Sequence, residues 1–286
     1  MESRSAGLTL RGLLRVAKRS AKAALRPLSS RPTTRAKLVR DLRHLGVRPG
    51  ALLLVHSSLS ALGFVPGGPR TVIRALLEAL GPEGTLVIPT HSWEEMAAGC
   101  RTFDVRRTGV CVGTIPDYFR SYPGVIRSLH PTHSVAALGP LAQWLTADHE
   151  SSATPCGAGS PYAKLLDRDG QILFLGATLR SNTAYYTVEA LGGAPHLMSG
   201  TPDRFTVIAE GGTRRELLID RHRAGIPRRF EELEGWMTER GILRAGQVGP
   251  ARSLLIAGTP FRDALTEAVR NDPTFLLVRS QEVPAR

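Results

Sequence analysis

The chain has 286 residues, 42% of them hydrophobic and 22% charged, and a formal net charge of +12. That balance fits a globular protein able to bury a substantial core, and excludes a chain too polar to fold. No apolar run reaches the about eighteen residues that a membrane span demands.

Cys100, Cys111 and Cys156 form no Cys-x-x-Cys pair and have no histidine at zinc-ligand spacing. Reduced thiols, no structural metal and a cytoplasmic protein are therefore expected. The positive charge is uneven: twelve of the 37 Lys and Arg residues fall within the first 43 positions, opposed there only by Glu2 and Asp41. Residues 1–32 accordingly read as a basic N-terminal arm ahead of one domain over 33–286. Leucines among the cations predict a helix that Pro27 and Pro32 break. The arm lacks the apolar stretch of a secretory signal, and it has no aromatic residue for stacking, which argues against a nucleic-acid partner. It reads as a solvated tail, an attachment to an anionic membrane surface, or a dock for an acidic partner such as an acyl carrier protein.

In chain order, Thr33-Thr34 caps a helix through Arg43, with Leu38, Leu42 and Leu45 as its apolar stripe and Gly46 as its stop. Ala51 to Val55 is a continuous apolar run, as in a strand covered on both faces. It delivers His56-Ser57-Ser58 to the strand's carboxyl end, where open α/β sheets gather ligands. A loop with Gly67-Gly68 follows, and Thr71 opens a helix over Val72 to Leu80. Amides there suit an anionic group, although Gly67-Gly68 alone is no more than a turn. Thr85 to Ile88 is the next strand and ends in Pro89-Thr90-His91-Ser92. Residues 94–112 are irregular. Their carboxylates Glu94, Glu95 and Asp104, beside Arg101, Arg106 and Arg107, read as a solvated loop. Gly113 to Tyr122 reads as a helix, stopped by Pro123-Gly124.

Polar and titratable residues then crowd between Arg127 and Glu189. His130-Pro131-Thr132-His133-Ser134 reads as a turn before the strand Ser134 to Ala137, with His130 either satisfied by backbone or free for chemistry. Gly157-Ala-Gly159-Ser160-Pro161 starts a helix through Leu166, as a plain start or an anion site. Cys156 reads as a small packed residue rather than an activated thiol. Asn182, Tyr186 and Glu189 lie three or four residues apart and so share a helical face. Phe205 to Ala209 and Arg214 to Ile219 about Gly211-Gly212 signal a hairpin. A helix begun at Arg228 and ended by Gly241, the strand Ser253 to Ile256 and the helix Phe261 to Val269 follow.

Taken together and in this order, the motifs resemble the aminoglycoside 3-N-acetyltransferase family, the antibiotic N-acetyltransferases that differ in fold from the GNAT acetyltransferases. The likeness begins at Leu53-Leu-Val-His56-Ser57-Ser58-Leu59 with Gly63 and Gly67-Gly68, and at Gly84-Thr-Leu-Val-Ile-Pro89-Thr90-His91-Ser92-Trp93. It continues through Phe103-Asp104, Arg127-Ser128, His130-Pro131, Gly157-Ala-Gly159-Ser160-Pro161 and Asn182-Thr183, and closes at Asp272-Pro273-Thr-Phe275-Leu276. With the strand and helix pattern it implies a three-layer α/β/α sandwich with a mixed central sheet. It further implies direct transfer of an acetyl group from acetyl-CoA, or another acyl-CoA, to the 3-amine of a deoxystreptamine antibiotic. Coenzyme A is then expected at His56, Ser57, Ser58, Gly67, Gly68 and Thr71, and the amine acceptor at Glu94, Asp104 and Asn182. Catalysis falls to Glu189, Tyr186, His130 and Thr183, with no metal.

One position departs from the family. Its helix usually reads Asn-Thr-x-x-His-x-x-Glu, and that His is understood as the general base; here Tyr186 stands in its place. A phenol of pKa about 10 is a poor base at neutral pH, where imidazole at about 6.5 is well placed. Glu189 becomes the leading candidate base, with His130 or His133 as substitutes within about 3 Å of the amine. The departure also admits a biosynthetic acyltransferase with another acceptor or a carrier-bound donor, and a ligand-binding relative that has lost catalysis. The pattern does not choose between monomer and homodimer.

Overall fold

Leu52–Ser57 (β1) is the middle strand of a seven-stranded sheet, and its side chains explain the layers. Leu52 and Leu54 pack into one core while Leu53 and Val55 pack into the other. Both faces are covered, which is why the run is apolar throughout rather than alternating. Thr85–Pro89 (β2) and Gln171–Leu175 (β6) flank β1 in parallel. Val135–Leu138 (β5) runs antiparallel to β2 and pairs with the edge strand Ile126–Arg127 (β4). On the other side Ala251–Ala257 (β10) is antiparallel to β6 and to the edge strand Leu243–Val248 (β9).

Helices Arg35–Leu45 (α1), Gly68–Leu80 (α2) and Thr114–Phe119 (α4) cover one face. Ala142–Thr146 (α5), Pro161–Asp167 (α6), Ala184–Gly192 (α7), Leu233–Glu239 (α8) and Gly258–Asn271 (α9) cover the other. This is the expected three-layer sandwich with a mixed sheet. A second sheet of three strands stands apart: Thr102–Asp104 (β3) pairs in parallel with Asp203–Ile208 (β7), which forms the expected hairpin with Arg214–Ile219 (β8). The short helix Trp93–Ala97 (α3) precedes β3.

This computed structural model describes residues 31–278. The basic arm expected over 1–32 and its partner readings fall almost wholly outside them. Among the described residues no helix is long and apolar enough to cross a membrane.

Several boundaries differ from the sequence reading for identifiable reasons. The side chain of Thr34 caps α1 by accepting from the Lys37 amide at 3.3 Å, and the helix runs two residues past Arg43 to its left-handed stop at Gly46. α2 starts at Gly68, not after Thr71, because Pro69 suits the first turn. The Thr71 hydroxyl instead donates to the Pro66 carbonyl at 2.5 Å and closes the Gly67-Gly68 turn. β9 was not expected, since Leu-Arg-Ala-Gly-Gln-Val carries polar residues that only an edge strand tolerates.

Gly139, at the end of β5, has φ +133°, and a Cβ there would lie 2.3 Å from the Gly84 carbonyl oxygen and 2.7 Å from Thr85 Cα. Both neighbours are backbone and cannot step aside. Gly139→Ala should destabilise the fold by about 2–4 kcal/mol, read as a lower midpoint in thermal or urea unfolding, whereas alanine at Gly235, which meets nothing within 4 Å, should act far more weakly.

Candidate active site

The polar residues gather where β1 and β2 end. His56 is buried and stacks on Phe174 of β6, with ring centroids 5.1 Å apart and planes at 14°. Its Nε2 and the neighbouring Ser57 hydroxyl are buried without a hydrogen-bond partner among the described residues. Beside them β2 delivers Thr90, His91 and Ser92, all buried. His91 Nε2 is hydrogen bonded to the Tyr162 hydroxyl at 2.7 Å. Tyr162 donates in turn to the His133 carbonyl at 3.2 Å. These contacts join the segment after β2 to the turn before β5 and to α6.

Arg127 fastens the strand ends. Its Nε donates to Thr90 Oγ1 at 3.2 Å and Ser134 Oγ at 3.1 Å. Nη1 reaches the carbonyls of Thr108 at 2.7 Å and Val105 at 3.3 Å, and Nη2 reaches the Thr90 carbonyl at 2.8 Å and Ser92 Oγ at 3.0 Å. Its guanidinium also lies 4.9 Å from the Phe103 ring centroid. Among the described residues no ion pair joins it, so neutral oxygens solvate the charge. Burial, then Arg120, pulls its pKa down to about 10, which leaves it cationic at neutral pH.

Six of the eight histidines line this region. His149 is fixed on both sides, Nε2 against the Pro155 carbonyl and Nδ1 against the Ser128 hydroxyl, each at 2.8 Å. His130 Nδ1 accepts the amides of Thr132 and His133 at 3.3 and 3.1 Å. Its turn therefore holds it by backbone, the plainer of the two sequence readings. Burial pushes His56 and His149 down to about 3, His133 to about 4 and His222 to about 2, and holds His91 and His130 well below the ordinary value. At neutral pH the cluster is uncharged.

α7 brings in the two residues on which the chemistry was expected to turn. Glu189 is fully buried. Both its oxygens lie 3.1 Å from Arg228 Nε, and Oε1 lies 3.0 Å from His196 Nε2. A carboxylate so occupied is an anchor, and its surroundings do not provide the free base that the sequence suggested. The Arg228 guanidinium also covers Tyr186, 4.8 Å from its ring centroid. The ring of Tyr186 also meets that of His222 in a parallel stack at 4.3 Å and 19°. Burial raises the Tyr186 phenol above its ordinary pKa despite the opposing pull of Arg228.

The remaining expected residues are distributed differently. Asn182 Oδ1 accepts the Ala184 amide at 3.1 Å as a helix cap, while its Nδ2 is buried without a partner among the described residues. Asp104 Oδ1 accepts the amides of Arg106 and Arg107 at 2.9 and 3.1 Å, so this carboxylate shapes a turn. Glu94 is exposed on α3. Ser58 Oγ bonds to Ser60 Oγ at 3.1 Å, Gly67 is left-handed at φ 80° and Gly68 follows at φ 54°. Arg127 and Tyr162 fall within the crowded stretch that the sequence marks as a site but had no role assigned, and sequence reasoning missed His222 and Arg228.

A mixed sheet sheathed on both faces, with a Tyr- and Glu-bearing helix against it and a buried polar cluster at the ends of its parallel strands, defines a three-layer α/β/α domain with one candidate site. The sequence model for aminoglycoside 3-N-acetyltransferases matches residues 54–270, and the chain belongs to that family. It is 39% identical over 190 residues to aminoglycoside N(3)-acetyltransferase VII of Streptomyces paromomycinus, a match spanning 60% of this chain and 65% of that one. It is 33% identical over 246 residues to aminoglycoside N(3)-acetyltransferase IV of a Salmonella species, covering 85% and 90% of the two chains. Among solved structures, AAC-IIIb in binary complex with CoASH superposes with a TM-score of 0.73 at 28% identity, covering 87% of this chain and 100% of that one.

The Glu189–Arg228 pair has a measurable consequence. Arg228→Met strands a buried carboxylate and should cost about 3–5 kcal/mol. Combining it with Glu189→Gln should recover a large part of that loss, as read from urea midpoints in a double-mutant cycle.

Proposed function

We propose that the protein transfers an acetyl group from acetyl-CoA to the 3-amine of an aminoglycoside, with its free-base acceptor supplied by solution equilibrium rather than by an enzymic imidazole. The reaction class follows from family membership and from the CoASH complex of a structural relative. The observation that carries the mechanism is the environment of Tyr186, a phenol held protonated by burial and stacked on a neutral imidazole. Such a group donates a hydrogen bond and does not accept a proton at pH 7.

In the step itself the amine nitrogen attacks the thioester carbonyl, a C–N bond forms and the C–S bond breaks. Coenzyme A leaves as thiolate, and the amine proton passes to water or to that thiolate. The unpartnered Ser57 hydroxyl and the amides that follow β1 are our candidates for stabilising the oxyanion. The Gly67-Gly68 turn and the N-terminus of α2 are our candidates for the anionic limb of coenzyme A. Thr183, buried at the start of α7, and Glu189, through Arg228, position that helix rather than touch the reacting atoms. We place the protein in the cytoplasm, where acetyl-CoA is made and used. An acidic carrier protein as donor, and a homodimer, are secondary readings that no contact among the described residues favours.

The test is thioester cleavage with an aminoglycoside panel across about pH 6–9. Because Tyr186 stays neutral over this range, kcat/KM should climb with the free-base fraction of the acceptor amine and should not level off near the ordinary imidazole pKa of about 6.5. Tyr186→His should raise turnover at neutral pH by about 10²-fold or more and move the rising limb to lower pH. No thioester loss with any amine, in either form, would leave ligand binding as the better account.

A further inference from the structure

Most of the buried imidazoles are hydrogen bonded within the fold; His56 lacks a partner at Nε2, and His222 lacks one at both nitrogens among the described residues. His91, His130 and His149 each bond to Tyr162, to backbone amides, or to Ser128 and Pro155. His222, in contrast, has both ring nitrogens buried and neither hydrogen bonded among the described residues. A neutral imidazole has one N–H donor and one acceptor nitrogen, and leaving both without partners away from water is costly enough to call for an occupant.

Two other donors point to what that occupant is. Ligand atoms of His133, Cys156 and His222 all lie within 4.8 Å of one another. The rings of His133 and His222 meet edge to face, 4.8 Å between centroids. His133 Nδ1 is already engaged by Thr132 Oγ1 at 2.8 Å, which leaves Nε2 as its ligand nitrogen, in the way outer partners orient metal-binding imidazoles. Cys156 is fully buried, and no hydrogen bond among the described residues engages its sulfur. The three residues come from three separate segments: the turn before β5, the loop before α6 and the loop after β8.

We propose that His133, Cys156 and His222 form a binding site for a borderline-soft divalent transition metal, zinc above all, with a fourth coordination position open beside Tyr186. Two neutral imidazoles and one thiolate are a donor set that zinc accepts in tetrahedral geometry, at about 2.0–2.1 Å to nitrogen and about 2.3 Å to sulfur. Those bonds put ligand atoms roughly 3.5 Å apart, so the trio must close by about 1 Å, within the reach of side-chain torsions. The donor set excludes magnesium and calcium, which prefer oxygen ligands. His133 and His222 are part-exposed while Cys156 is not, which gives the ion a way in along the imidazoles.

A Cys-His nucleophile is the competing reading. Such a pair needs the sulfur hydrogen bonded to an imidazole, and no hydrogen bond among the described residues engages the buried Cys156. The site departs from the metal-free expectation of the sequence, whose spacing rules see only ligands that are close along the chain. The inference does not depend on the acyl-transfer reading, since its readout is metal binding.

The experiment uses the full chain, freed of metal by chelator and dialysis, then titrated with Co²⁺ and with Zn²⁺. Wild type should bind one equivalent of Co²⁺ with a thiolate-to-cobalt charge-transfer band and the intense visible bands of a four-coordinate site, both abolished by Zn²⁺. Zinc should also raise the thermal midpoint, increasingly with its free concentration. Cys156→Ser should remove the charge-transfer band, and His222→Gln should weaken binding by at least about 100-fold with an unchanged far-ultraviolet spectrum. His44→Gln, on exposed α1, should change neither. Absence of the band in wild type, or its survival in His222→Gln, would overturn the site. So would an acetyl adduct on Cys156, found by mass spectrometry after acetyl-CoA is added to metal-free protein, because it would assign the thiol to nucleophilic catalysis.

Discussion

A single buried guanidinium lets the strand ends of this domain meet. The segment after β2, the residue before β5 and the loop after β3 all present oxygens toward one point, and Arg127, from the edge strand β4, fills it with N–H groups. Bringing those carbonyls and hydroxyls together without a cation would leave lone pairs facing each other in a space without water. Supplying the cation with a carboxylate instead would place an anion where the cluster is uncharged. Six neutral oxygens are the arrangement that meets both conditions, and the fork of the arginine head is the side chain that can reach them all.

From that point inward the site is a sequence of charge-neutral contacts with one ion pair at its edge. Burial keeps the six imidazoles neutral, and at His91 the neighbouring His133, His56, His149 and His222 lower the proton affinity further. Glu189 and Arg228 sit beyond them and satisfy each other. The consequence is that, among the described residues, the carboxylate nearest Tyr186 on its own helix is already paired. The small sheet contributes through the segment that follows β8, which carries His222 and Arg228 back to α7. The hairpin is therefore joined to the site even though its own strands lie outside the main sheet.

The sheet's inner strands were legible because full burial leaves an unambiguous apolar run, as at Leu52–Val55 and Thr85–Ile88. The three-residue β3 was not, being too short to show a period, and Arg244 and Gln247 hid β9 by breaking one. Among site residues, the crowding between Arg127 and Glu189 was visible as composition, and Tyr186 as a departure from a motif. The surroundings of Asp104 and Glu189 were not legible in the sequence for a common physical reason. A carboxylate's function is set by which donors reach it first, and those donors were backbone amides in one case and Arg228 with His196 in the other. His222 had no local signal at all: a lone histidine between Arg221 and Arg223 reads as a solvated loop, and only the fold brings it against Tyr186 and His133.

The pairing of Glu189 with Arg228 gives the Tyr186 substitution a structural logic. An imidazole at this helical position would benefit from a carboxylate one turn away, which would hold its tautomer and stabilise its cation. A phenol needs no such partner, and a buried unpaired Glu189 would then be a liability. Arg228 resolves both requirements at once, since its Nε neutralises the carboxylate and its planar face covers the phenol ring. His222 stacks on the same ring, with centroids 4.3 Å apart. Tyr186 is thus held by its ring rather than through its hydroxyl, and the hydroxyl is left to be directed by whatever binds beside it. Restoring a histidine here restores an imidazole but not its carboxylate, because Arg228 already holds Glu189. The base so created would be governed by burial and by His222, and its proton affinity would be set by different neighbours from those the family motif supplies.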